Sequence, residues 1–408
     1  MNTTTIDHPP AVPAIPKGLK GVVAGRTSVG DVQGEHGFYH YRQYSATDLA
    51  RTRTFEDTWA LLVDGELPVT PQQRDAFLAE TVALRAVPQV VLDALPGIVA
   101  SSGTRVPLAA LRSALSLYSS AVDLAPLLDR SPDRARSDSL CVSAVTPVLA
   151  AALYRLAHGV APVPPRNDLG CASNYLWMLT AAEPDPDAVR ALEAYLVSTI
   201  DHGFNASTFT ARVVASTGAD VGSCIVAALG SLSGPLHGGA PSRALALLDT
   251  IAASVDDGPY GTDQIDAVVQ PMIERGERIM GFGHAVYRTE DPRSALLSEM
   301  ADGFAGRSAD GARRLELAHA VETRVVELLE LHRPGRALRT NVEFYAAIVL
   351  ELCGIPPEMF SSSFASSRVV GWCAHVLEQD GERQIIRPSA LYVGPAAPRP
   401  VPHLAGAS

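Results

Sequence analysis

Lysine is almost missing from this chain: only Lys17 and Lys20 occur, both near the N-terminus. A Schiff-base aldolase or a pyridoxal enzyme needs an amine in its core, so the composition argues against both. A phosphate-binding loop ending in Gly-Lys-Ser/Thr is also absent. Cysteine is scarce and unpaired in sequence. Cys141, Cys171, Cys224, Cys353 and Cys373 form no CxxC spacing, which argues against a zinc or iron–sulfur centre and for buried, reduced thiols in a cytoplasmic protein. Cationic surplus is lacking too. The 44 acidic residues exceed the 33 basic ones, for a formal net charge of −11, the reverse of what a nucleic-acid binder needs. The same sign argues against a membrane-surface partner. No run is long and apolar enough to read as a bilayer span: the longest, around 145–156, contains Pro147 and Arg155 and predicts a buried helix. Residues 1–16 are rich in Thr and Pro, with neither the cationic start nor the apolar stretch of a secretion signal, and read as a disordered leader. Residues 395–408, rich in Pro and Ala, read as a flexible tail.

What is present is helix. Apolar side chains make up 47% of the 408 residues, enough for one large domain or two. They recur at helical spacing almost throughout, so the fold class expected is all-α, with about fifteen helices. Thr70-Pro71 and Asp185-Pro186 open helices, and Gly159 and Gly354 close them. An extended piece near 22–44 is the exception and predicts a small hairpin-like edge.

Two histidines sit in glycine-containing loops: Gly234-Pro235-Leu236-His237-Gly238-Gly239, and Gly281-Phe282-Gly283-His284, followed by Arg288 and Arg293. A helix beginning after His237 would depress its pKa and favour a neutral, donating imidazole suited to an enolate oxygen. The plainer alternative is a loop histidine that caps backbone. His284 beside Arg288 and Arg293 suits a substrate with carboxylates and a carbonyl. Glu343, at the start of an apolar helix, supplies a carboxylate base, although Thr340-x-x-Glu343 also spells a capping box that would occupy it. Arg368 follows a run of small residues that lets helices approach closely, its plainer reading being a surface arginine. Arg387 is fixed by apolar neighbours and Pro388. His202 falls at a helix end, where Asn205 or Ser207 would cap the next helix.

The stretches GPLHGG, GFGHAVYRTEDPR, DHGFNASTF, RTNVEFYAAIVL and RPSALYVGP together resemble the citrate synthase family, 2-methylcitrate synthases included, and the likeness runs from about residue 17 to 394. The resemblance implies a homodimer with a large domain (17–238 and 354–394) and a smaller closing domain (239–353). It implies acetyl-CoA as co-substrate and no cofactor. His237 matches the histidine that holds the thioester oxygen. His284 matches the one that polarises the ketone of oxaloacetate, and Glu343 stands where the family has an aspartate base. His202, Arg293, Phe364 and Arg368 match the oxaloacetate site, and Arg387 matches an arginine donated across the dimer. Gly281, Phe282, Gly283, Arg288 and Arg336 match CoA contacts. Two readings compete with an acetyl-CoA enzyme: a synthase using propionyl-CoA, and a weakly catalytic or non-catalytic relative that binds CoA or oxaloacetate. Two departures stand out, the extra methylene of Glu343 and Gln43 in place of a turn glycine.

Overall fold

The computed structural model describes residues 15–102, 107–235, 237, 241–254, 260–284, 286–306, 308–336, 338–395, 398, 400 and 401. Almost all of the expected leader, most of the tail, and Leu236, Gly238 and Gly239 of the first histidine loop lie outside these residues. Sixteen α-helices occur among them: α1 (Ala46–Thr52), α2 (Phe55–Asp64), α3 (Pro71–Ala83), α4 (Gln89–Ser102), α5 (Pro107–Ala121), α6 (Pro132–Ala157), α7 (Cys171–Thr180), α8 (Pro186–Thr199), α9 (Ala206–Ala215), α10 (Val221–Leu232), α11 (Pro241–Ala252), α12 (Thr262–Glu274), α13 (Pro292–Ala305), α14 (Ala309–His332), α15 (Val342–Leu352) and α16 (Phe360–Glu382).

The punctuation read from the sequence is what starts and stops these helices. Thr70 caps α3 in a reciprocal box with Gln73, Asp185 caps α8, and Asn205 caps α9 through the Thr208 N–H. The expected hairpin is a small antiparallel sheet of β1 (Gly30–Gln33), β2 (Phe38–Tyr41) and β3 (Tyr44–Ser45), with Gly30 opposite Tyr41 and Tyr41 opposite Tyr44. In the β2–β3 turn the left-handed conformation falls on Arg42 (φ 50°), so Gln43 takes the position without needing glycine's freedom. Arg42 is held there by bonds to Ser28 and to the Leu62 carbonyl.

The long apolar segment becomes the central helix α6, which keeps Pro147 inside it. Its length and composition would permit a membrane span, but 72% of its most apolar stretch is buried within the protein, as befits a core helix. α16 lies across α6 and also packs on α8, α9 and α10, while α15 packs on α11, α13 and α8. Gly371 permits the closest of these approaches, because a Cβ there would overlap the Ile200 carbonyl oxygen at the end of α8. That contact sets Arg368, one turn earlier on α16, directly against the last turn of α8.

Candidate active site

A cleft of about 270 Å³ opens where α8, α15, α16 and the two histidine loops meet. It is lined by eight residues anticipated from sequence: His202, His237, Gly283, His284, Arg293, Glu343, Phe364 and Arg368, of which Gly283 also borders a neighbouring cavity. Segments separated by more than a hundred residues thus converge on one space.

His284 has a definite tautomer. Its Nδ1 accepts the backbone N–H groups of Val286 (3.0 Å) and Tyr287 (3.1 Å), so a neutral ring carries its proton on Nε2. Arg293 Nη2 lies 3.1 Å from that Nε2, and a guanidinium can only donate. Two donors therefore face the same point, which is where a substrate oxygen would satisfy both. Burial, then the charge of Arg293, pushes the His284 pKa down to about 4, keeping it neutral.

Arg293 is itself gripped by Asp291, which accepts from Nε at 3.0 Å and from Nη2 at 2.8 Å. The same carboxylate accepts the Val342 N–H at 3.0 Å and so ties Arg293 to the first turn of α15. A second tie runs through the backbone. Gly283 N–H donates to the Arg339 carbonyl (2.7 Å), and Asn341 donates from its N–H to Gly281 O (2.9 Å) and from its side chain to Gly283 O (2.9 Å). Gly281 (φ 88°) and Gly283 (φ 79°) lie in the left-handed region that this zipper requires. These glycines thus act as a strut between the His284 loop and α15.

At the head of α15 the anticipated capping box does not form. The cap is Asn341, whose side chain accepts the Glu343 N–H at 3.0 Å, and Thr340 instead donates to Glu322 at 2.6 Å. Two adjacent residues can each cap a helix, and the demand of Glu322 selects between them. Glu343 is left with one carboxylate oxygen, Oε2, buried and without a hydrogen-bond partner among the described residues. Burial raises its pKa, opposed by Arg278 and Arg293. A carboxylate of raised pKa with one oxygen unpaired, in a cleft, has the character of a proton acceptor.

His237 is reached through Ser207 on α9. The Ser207 hydroxyl accepts from Trp372 Nε1 (3.2 Å), leaving its single proton for either Asn205 Oδ1 (2.8 Å) or His237 Nε2 (2.8 Å). When that proton goes to Nε2, a neutral His237 carries its own proton on Nδ1. Its pKa falls to about 4 through burial and the charge of Arg368, which corrects the helix-based cause expected from sequence.

Arg368 is buried, contrary to its plainer reading as a surface residue. Its Nε donates to the Thr199 carbonyl (2.7 Å), its guanidinium lies 4.5 Å from the centre of the Phe364 ring, and no carboxylate among the described residues forms an ion pair with it. Burial lowers its pKa to about 10, with Asp201 opposing. Such a cation calls for an anionic ligand. His202 lies alongside and shares a 3.0 Å bond with the Tyr287 hydroxyl. Its pKa is pushed well down by burial and by Arg293 and Arg368. The Asp201 carboxylate accepts the Gly203 N–H (3.1 Å) and bonds His375 Nε2 (3.2 Å), fixing the turn that presents His202.

Other anticipated residues lie elsewhere. Arg288 and Arg336 line an adjoining cavity of about 380 Å³ together with Arg339, and Phe282 and Gly283 border another of about 410 Å³ with Arg278 and Arg333. Arg387 is exposed in the irregular segment after α16, apart from the cleft of its own chain. The sequence reading missed Arg278, Tyr195 and Thr199, which also line the cleft. The last two stand one and two helical turns before His202, so their spacing was a usable signal; Arg278 carried none.

The two neutral histidines leave a thermodynamic signature. Their folded pKa values, about 4, lie below the ordinary value near 6.5, so between those limits the unfolded chain binds protons that the native site refuses. Their stabilising contribution is complete above about pH 6.5 and is lost as pH falls toward 4. Denaturant midpoints measured from pH 7.5 to 4.5 are expected to decline, and to decline less in a variant carrying His237→Gln and His284→Gln.

An all-α fold with one small sheet, whose cleft joins a carboxylate of raised pKa, neutral imidazoles and buried arginines, fits the class of acid–base enzymes that form carbon–carbon bonds. Residues 18–389 match the family described as citrate synthase, C-terminal domain, and the chain belongs to the citrate synthase family. It is 35% identical over 381 residues to citrate synthase of Deinococcus radiodurans, covering 93% of this chain and 96% of that protein. It is also 35% identical over 387 residues to 2-methylcitrate synthase of Shewanella oneidensis, covering 94% and 96%. Among solved structures, the ternary complex of citrate synthase from Thermoplasma acidophilum with carboxymethyl coenzyme A and oxaloacetate superposes with a TM-score of 0.83 at 26% identity, over 95% of this chain and 98% of that one.

Proposed function

We propose that this protein condenses acetyl-CoA with oxaloacetate and water to give citrate and free CoA, with Glu343 as general base. The observation that carries this reading is the unpartnered Oε2 of Glu343 in the same cleft as His237 and His284. In the proposed reaction, Arg293, Arg368 and His202 hold oxaloacetate, with Phe364 against the Arg368 cation. Glu343 removes a proton from the acetyl methyl group while His237 donates from Nδ1 to the thioester oxygen, so charge builds where a donor already waits. The resulting carbon nucleophile attacks the ketone carbon, the Nε2 proton of His284 passes to the new alkoxide, and the proton taken by Glu343 returns through solvent to His284, so that both groups end as they began. Water then cleaves the citryl thioester, releasing citrate and the CoA thiol. The arginine-lined cavities at Arg288, Arg336 and Arg339 and at Arg278 and Arg333 suit the CoA phosphates, and Gly281, Phe282 and Gly283 edge the adenine site. Acetyl-CoA enters as co-substrate, and the chemistry requires no cofactor.

The parts 17–238 with 354–394 and 239–353 act as two lobes that close on the substrates and control water. The working unit is a homodimer in which Arg387 completes the partner's oxaloacetate site. Ile385, Tyr392 and Val393, at 61%, 71% and 87% exposure, support this reading, since apolar side chains lined along an arm call for a surface to cover them. A mixture of chains carrying Arg387→Leu with chains carrying His284→Ala, each inactive alone, is then expected to recover roughly a quarter of wild-type activity, because each mixed dimer holds one intact site. Absence of recovery after confirmed subunit exchange contradicts donation across the dimer. Five unpaired cysteines support a reducing, cytoplasmic setting.

The proposal is tested by thiol release on mixing oxaloacetate with acetyl-CoA, run in parallel with propionyl-CoA. Equal identity to a citrate synthase and a 2-methylcitrate synthase keeps the second acyl donor in view, and the higher kcat/KM names the substrate. Closure on ligand without thiol release from either donor would instead identify a binding protein.

A further inference from the structure

One polar atom of the cleft has no part in the scheme above. Tyr195 on α8 is fully buried and borders the cleft, yet its hydroxyl has no hydrogen-bond partner among the described residues. Three other buried tyrosines have partners. Tyr39 donates to Ser198 O at 3.1 Å, Tyr41 to Val197 O at 2.8 Å, and Tyr175 shares a 3.0 Å bond with Ser363. A buried hydroxyl left unpaired opposes folding, so a native chain that keeps one has a partner for it outside the chain or a function for it.

The surroundings say which partner. Tyr195, Thr199 and His202 share one face of the end of α8, at spacings that stack successive side chains along the cleft. Thr199 offers Tyr195 no bond there: its hydroxyl bonds the Tyr195 carbonyl at 2.8 Å and Ser367 Oγ at 3.0 Å. After burial, the groups that act on the Tyr195 phenol are the Tyr175 phenol and Arg368, and Arg368, the buried guanidinium without an ion-pair partner among the described residues, lines the same cleft. Burial also holds the phenol in its neutral, donating form. The unused donor therefore belongs to the same cleft wall as the unpaired Arg368 cation. A carboxylate engaged by an arginine keeps lone pairs for a further donor.

We propose that Tyr195 is a substrate-binding residue whose hydroxyl donates to the oxaloacetate carboxylate neutralised by Arg368. This deepens the synthase reading and rests on it. Tyr195 then supplies part of the preference for a keto acid bearing that carboxylate, because an acceptor without it leaves both a phenol and a guanidinium unsatisfied.

Tyr195→Phe deletes the hydroxyl and nothing else. Its KM for oxaloacetate and the dissociation constant of oxaloacetate, read by intrinsic fluorescence, are each expected to rise about tenfold. The KM for the acyl-CoA is expected to stay within about twofold, and Tm is expected to hold or rise because the lost group was unpaired. Oxaloacetate constants unchanged in an active Tyr195→Phe enzyme overturn the proposal, as does a variant whose Tm and every kinetic constant fall together. A wild-type protein that releases no thiol but binds oxaloacetate tightly overturns the synthase reading instead, and the fluorescence titration still judges Tyr195.

Discussion

Replacing Glu343 with glutamine is expected to lower turnover by about 10²–10⁴-fold, the range a positioned general base contributes, with Tm and oxaloacetate binding kept. The amide occupies the same space and cannot accept the proton, and its oxygen can keep the Asn341 contact while Oε2 has no partner to lose among the described residues. Loss of proton exchange from the acetyl methyl group, followed by mass in heavy water, isolates the step. Glu343→Asp separates chemistry from reach. It keeps a carboxylate but withdraws it by about an ångström, and a displacement of that size can cost on the order of a hundredfold. Retained or raised activity in the aspartate variant with loss in the glutamine variant identifies a base. Indifference to both substitutions rules one out and favours the non-catalytic reading.

The second large effect is expected at His284. His284→Ala removes the Nε2 donor aimed at the ketone and is expected to lower kcat by about 10²–10³-fold, the usual loss when one preorganised donor to a developing oxyanion is deleted. The fold should survive, since only two backbone N–H groups, those of Val286 and Tyr287, lose their acceptor, and the loop remains tied through Gly281, Gly283 and Asn341. In the proposed reaction Glu343 acts on the thioester and His284 on the ketone, so the variants are expected to diverge in one respect: His284→Ala retains methyl proton exchange, whereas Glu343→Gln loses it. Near-normal turnover in His284→Ala refutes its assigned role.

Helices were legible because their signals are local. Thr70, Asp185 and Asn205 each cap the helix that follows through an atom two or three residues away. At Thr340 a distant group does compete: Glu322 on α14 takes its hydroxyl, the cap passes to Asn341, and Glu343 is released. That outcome was hidden because it turns on a pairing eighteen residues apart in sequence. The depression of the His237 pKa was foreseen but its cause was not, since burial and the charge of Arg368 exist only once α16 crosses the end of α8. Glycine loops marked both histidines, but nothing local marked Arg278, an exposed side chain whose charge acts across the cleft on Glu343. Arg387 is a different case: it is exposed apart from the cleft of its own chain, and the role proposed for it requires a second copy.

The zipper joining Gly281 and Gly283 to Arg339 and Asn341 bears on how the protein tolerates motion. His284 and Glu343 ride on the same backbone unit, so breathing between the two proposed lobes is expected to leave the distance between these two side chains nearly constant. What breathing alters is their joint offset from Arg368 and His202 on the opposite wall. A loosened hinge should therefore show itself first as weaker capture of the keto acid, with proton handling intact. A variant that frays this zipper, such as Asn341→Ala, should do the reverse.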